Sequence, residues 1–230
     1  MAQANAVSTA SETQVNRFLA QVYFLMSVGL LVTALVSTWV GGNLRLLWRI
    51  NTNPWIAFGL FLLQIFLVVA LSTSVMRLNV GVATLLFLVY SALTGLTISA
   101  IFLVYTEELI ASVFWITAGT FLLTSLVGMF IKIDMAKGGG ILFMLLCGWT
   151  LAWLFSLIFW PDSNFNWTLN FLGIALFVGL TAWDTAALKE IGQQVGSHPA
   201  KGGLVVIGAL KLYLDFINLF LLILRAAGRR

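Results

Sequence analysis

The chain has 230 residues, 61% of them hydrophobic and only 9% charged, with a net charge of +4 and a mean hydropathy of +1.04. That composition excludes a soluble globular domain and identifies an integral membrane protein. The small positive charge reads as loop charge facing anionic lipid, with no basic helix or aromatic platform of the kind that binds nucleic acid.

Residues 1–17, "MAQANAVSTASETQVNR", are polar and small and lack the basic start, short apolar core and cleavage site of a secretory signal. They read as a disordered cytoplasmic tail, with the first span as an uncleaved anchor. Residues 18–230 read as one domain of seven transmembrane helices, with predicted spans Phe18–Gly41, Pro54–Val75, Val80–Tyr105, Leu109–Ile131, Gly139–Trp160, Trp167–Leu188 and Leu204–Leu224. Each run is about 20 residues, enough to cross about 30 Å of hydrocarbon as a helix, and together they leave no room for a soluble domain. The runs are continuous and about twice the length of a barrel strand, so the fold class is an all-α membrane bundle.

Trp39, Trp48, Trp55, Trp160 and Trp167 lie at or beside the expected outer interface and form an anchoring belt. The single cysteine, Cys147, falls in the fifth span and allows neither an internal disulfide nor a cysteine metal site. Seven spans leave Arg17, Arg77, Lys132, Lys137, Lys189 and Lys201 on the amino-terminal side, against Arg45, Arg49, Arg225, Arg229 and Arg230 opposite. Six cations against five favour a cytoplasmic amino terminus in the cell membrane. A last segment that enters and returns without crossing would change the side of its three arginines, and that topology stays open.

An ionisable group at the bilayer centre costs about 2.5 to 3.5 kcal/mol on insertion scales, so each one needs a partner, a wet cavity or a function. Three lie well inside the spans: Asp184, Lys211 and Asp215. The segment "GQQVGSHPAKGG" at 192–203, with Pro199 and four glycines, reads as the hairpin loop between the last two spans, and its His198 as a solvated side chain. Asp184 precedes Ser197 by thirteen residues and Asp215 follows His198 by seventeen. The depths differ by about four residues, or about 6 Å of helix, so the two carboxylates can meet on neighbouring antiparallel helices. A pair that close shares a proton and titrates as a unit.

Lys211, Asp215 and Asn218 follow i, i+4, i+7 spacing, which puts them on one helix face, expected to point inward. Tyr90, Thr94 and Thr97 repeat that spacing in the third span as candidate lining of a polar path. Hydroxyls in membrane helices also bond their own backbone, and the glycines Gly95, Gly173 and Gly179 read as sites of close helix packing. Calcium suits the oxygen donors Asp184, Asp215, Asn218 and the threonines as a transient ligand set, with no resident cofactor. Lys211 and Arg77 are candidate counter-charges; Lys211 with Asp215 also reads as an intrahelical ion pair that fastens the bundle. Glu107 and Glu108, at the outer end of the third span, form either an acidic mouth or a solvated loop.

The segments "LYLDFINLFLLILR" at 212–225, "VGLTAWDTAALK" at 178–189 and "LVYSALTGLTISAIF" at 88–102 resemble the Bax inhibitor family, in its bacterial branch, and the resemblance covers the chain after the tail. It implies seven helices with the last one central, and a pH-sensitive calcium leak with a di-aspartyl sensor that falls on Asp184 and Asp215. It further implies a second-helix arginine beside the sensor, nearest to Arg77 here. In some bacterial relatives it implies modulation of another membrane protein, an ATP-dependent protease.

Two enzyme or photoreceptor classes use similar residues. An intramembrane aspartyl protease resembles a glycine-x-glycine-aspartate motif, whereas "YL" precedes Asp215, and no proline lies in the last span. A retinal protein uses a seventh-helix lysine, which Lys211 supplies, but wants a third-helix carboxylate that this chain lacks. The chain is therefore read as a non-enzyme, either a leak channel or a non-conducting regulator that partners another membrane protein.

Overall fold

A chain whose backbone must satisfy its own hydrogen bonds in hydrocarbon folds as helices, and the long helices here run without a break through glycines such as Gly29, Gly95 and Gly173. The computed structural model describes residues 2–74, 78–131, 135–159, 163–195 and 201–228. In chain order the helices are α1 (Ala2–Gly41), α2 (Leu44–Thr52), α3 (Pro54–Ser74), α4 (Val80–Ile98), α5 (Glu107–Phe130), α6 (Met135–Phe159), α7 (Ser163–Val195) and α8 (Lys201–Ala227), with a 3₁₀ turn at Ser99–Leu103. Among the described residues seven helices are long and apolar enough to cross a membrane, all but the short α2.

Residues 2–17 form the first turns of α1. They include four alanines and neither glycine nor proline, so no helix breaker falls there. Two expectations are corrected. The third span is α-helical only to Ile98 and tightens to 3₁₀ at Ser99, whose hydroxyl turns back to the Leu96 carbonyl at 2.6 Å. The segment after the first span, expected as loop, holds α2. Asn43 starts it by accepting the Leu46 N–H at 3.2 Å. Leu47 is buried while Arg45 and Arg49 lie outside, as in a helix lying along an interface.

The chain divides into two compact units, Met1–Tyr105 with Ile191–Tyr213, and Thr106–Glu190 with Leu214–Arg230. In the first unit α1 packs along α4 through glycines. A Cβ on Gly29 would sit 2.5 Å from Phe87 Cζ, and one on Gly95 would sit 2.8 Å from the Thr33 carbonyl oxygen. Such approach is how small residues join membrane helices. The early part of α1 is seated at Gly192, where a Cβ would meet Phe18 at 3.1 Å.

In the second unit Gly128 of α5 lies against the Ala182 backbone of α7, with Ala182 Cα 3.0 Å from where a Cβ would stand. Trp149 of α6 covers Gly173 of α7, and its indole N–H donates to the Leu169 carbonyl at 2.7 Å. Phe177, Leu219 and Leu222 form the buried centre of this unit. Gly95 and Gly173 thus pack as expected, whereas Gly179 has only Leu142 within reach, at 3.8 Å. Helix α8 contributes to both units and is the most buried span, 67% against 39% or less for the other six.

Candidate functional site

Asp215 stands near the middle of α8 and is only 5% exposed; Asp184 on α7 is half-buried. Both belong to the second unit, where α5 acts as a ruler between them. Thr185, next to Asp184, donates to Ser125 of α5 at 3.4 Å. Phe216, next to Asp215, packs on Phe121 of α5 with ring centroids 5.5 Å apart. Ser125 and Phe121 are one turn apart, so the neighbours of the two aspartates meet α5 at levels that differ by about 6 Å. The helix ends agree: Asp184 precedes Val195 by eleven residues and Asp215 follows Lys201 by fourteen.

Aromatic side chains of α5 and the buried Thr185–Ser125 hydroxyl pair share this level. Phe216 also packs on Phe114 at 5.6 Å, and α7 is pinned to α5 again where Lys189 donates to the Met129 carbonyl at 2.7 Å. Asn218, one turn beyond Asp215, is half-buried and donates its Nδ2 to the Leu214 carbonyl at 2.8 Å, a bond that does not use its Oδ1. Among the described residues no group of three or more His, Cys, Asp or Glu is gathered as a metal cage.

Lys211, in the first unit, is exposed. The face it shares with Asp215 and Asn218 is therefore not turned inward along its full length, which corrects that expectation. The stripe Leu204, Ile207, Lys211 is the less covered side of the first half of α8, and a long ammonium side chain stays where its head remains wet. Arg77 and His198 lie outside the described residues.

The third-span stripe belongs to a separate cluster in the first unit. Thr94 donates to the Tyr90 carbonyl at 3.0 Å and accepts the Gln64 Nε2 at 3.3 Å. Thr97 is exposed; it donates to the Leu93 carbonyl at 3.0 Å and lies 3.5 Å from Gln64 Oε1. Tyr90 is buried, edge-on to Tyr213 at 6.0 Å. The Tyr213 hydroxyl lies 2.6 Å from Thr33 Oγ1, whose single proton is directed at the Ser91 and Gly29 carbonyls, so the phenol is the donor. This network ties α1, α4 and α8 inside the first unit, and links Gln64 of α3 to α4.

Sequence reasoning missed Gln64, Thr33 and Tyr213. Gln64 carried a usable signal, as a lone amide in the apolar run "FLLQIFLVV". It also missed Asn170, which is 2% exposed and donates to the Leu222 carbonyl at 3.0 Å, fastening α7 to α8 in the second unit.

Comparison with known proteins gives a consistent relationship. The family model described as "Inhibitor of apoptosis-promoting Bax1" matches residues 15–230. The inner membrane protein YbhL of Escherichia coli K12 is 45% identical over 216 residues, which cover 93% of this chain and 92% of that protein. An uncharacterized protein of Borreliella burgdorferi is 40% identical over 94% of this chain and 93% of its own length. Another from Deinococcus radiodurans is 36% identical over 94% and 92%.

Proposed function

Because the chain belongs to the Bax inhibitor family of membrane proteins, we propose that it is a pH-sensitive cation leak of the inner membrane, with calcium as the transported ion and Asp184 and Asp215 as its gate. The observation that carries this reading is Asp215, a carboxylate 5% exposed in the most buried span. An apolar residue there would spare the bundle about 2.5 to 3.5 kcal/mol, a cost that a purely structural helix has no reason to bear.

Two carboxylates within reach of one another titrate as a pair, and protons compete with a divalent cation for the same oxygens. Asn218 Oδ1 adds a third oxygen of the kind calcium prefers. So small a donor set holds the ion weakly, as a transit site must. Tyr90, Thr94 and Thr97 are proposed as polar lining within the first unit and Lys211 and Arg77 as counter-charges, with the amino terminus in the cytoplasm.

The test is calcium flux into liposomes loaded with a calcium indicator, across a pH series, for wild type, Asp184→Asn and Asp215→Asn. The expected result is flux above that of empty liposomes whose pH dependence is lost in both variants. Flux equal to empty liposomes in all three at every pH would overturn the leak and favour a non-conducting regulator acting through another membrane protein.

A further inference from the structure

Helices α6 and α7 enclose an open groove of about 560 Å³ in the second unit, lined by Leu145, Gly148, Ala152, Leu172, Ala175 and Gly179 among others, and almost wholly apolar. Gly148 and Ala152 on one wall face Ala175 and Gly179 on the other; small side chains at i and i+4 on both helices hollow out the surface. The lining residues all fall inside the candidate spans Gly138–Ser156 and Phe165–Gln194, so the groove opens at membrane depth, where acyl chains are the solvent.

A cation marks one end. Trp149 lines the groove and Trp153 continues the same face of α6 one turn further. The Arg225 guanidinium sits over the Trp153 ring, 5.7 Å from its centroid. Arg225 is exposed and in the last turn of α8, where that helix leaves the membrane. Among the described residues no carboxylate neutralises it. A guanidinium within cation–π range of an indole is held on that side by the ring face and still has N–H donors to offer a phosphate. A C-terminal arginine also complements its own helix dipole, which explains its sign but not its seat on Trp153 beside an apolar groove.

We infer that the α6/α7 groove holds one acyl chain of an anionic phospholipid whose phosphate is bound by Arg225 on Trp153. The site takes its affinity from the apolar walls and its headgroup preference from the single cation beside Trp153. Gly148 is the place to close it, because a Cβ there meets nothing within 4 Å and a larger side chain occupies the groove without disturbing the helices.

The inference is tested by native mass spectrometry of the full chain released from micelles containing equal amounts of a phosphatidylglycerol and a phosphatidylcholine with the same acyl chains. Wild type is expected to retain the phosphatidylglycerol about fivefold over the phosphatidylcholine, the ratio that one basic residue near an anionic headgroup supplies. Arg225→Gln should bring that ratio to about one with unchanged melting temperature, Arg225→Lys should restore part of it, and Gly148→Leu should lower retention of both lipids. Inorganic phosphate alone should not displace the lipid. Equal retention of the two lipids by wild type, a preference that survives Arg225→Gln, or retention unaffected by Gly148→Leu would each overturn it.

Discussion

Helices α8 and α6 are both apolar enough to cross a bilayer, yet 67% of the most apolar stretch of α8 is buried against 0% of that of α6. In water such a contrast would follow hydrophobicity. Here it does not: α3, the most apolar of the seven spans, is only 11% buried. Lipid is as apolar as leucine, so apolar side chains gain little by turning inward, and small residues and polar groups decide which helix lies inside. Helix α8 carries Tyr213, Asp215 and Asn218, whereas α6 has no charged residue in its Gly138–Ser156 span.

That contrast is broken most severely where glycine sets an interhelical distance. Gly128→Leu should drive the new side chain into the Ala182 backbone and separate α5 from α7. The expected loss is about 3 kcal/mol, at the top of the overpacking range, or a fall of about 6–12 °C in the melting temperature in micelles. A smaller loss is expected at the polar contact of α8 with α1. Tyr213→Phe removes the 2.6 Å bond to Thr33 but leaves the threonine with its carbonyl partners, so about 0.6 to 1.7 kcal/mol should be lost, read from the same melt. On α6 the sign should reverse. Gly148→Ala places a methyl in open space and should raise stability by about 0.5 to 1 kcal/mol through helix propensity.

The same physics explains what was legible in the sequence. Seven spans were legible because each must be a continuous apolar run, and Asp215 because a lone carboxylate in such a run is costly. The depth match of Asp184 with Asp215 followed from counting residues across a hairpin, and the α5 contacts of their neighbours give a similar offset. The inward face of α8 was only half legible: spacing grouped Lys211 with Asp215, but spacing cannot tell a buried site from one whose long side chain reaches solvent. The Thr33, Tyr213 and Gln64 network was illegible because hydroxyls satisfy themselves on their own helix as readily as across to another, as Thr94 does in both ways. Helix α2 escaped because its nine residues are too short to span, although Leu44, Leu47 and Trp48 already alternated with Arg45 and Arg49 at helical spacing.

The central claim is that Asp184 and Asp215 act as one titrating unit. It is tested most directly by a double-mutant cycle on the pH dependence of calcium flux in liposomes, with Asp184→Asn, Asp215→Asn and the double variant side by side. The account predicts that either single substitution removes the pH dependence as completely as both together. Two partial effects that simply add in the double variant would contradict it.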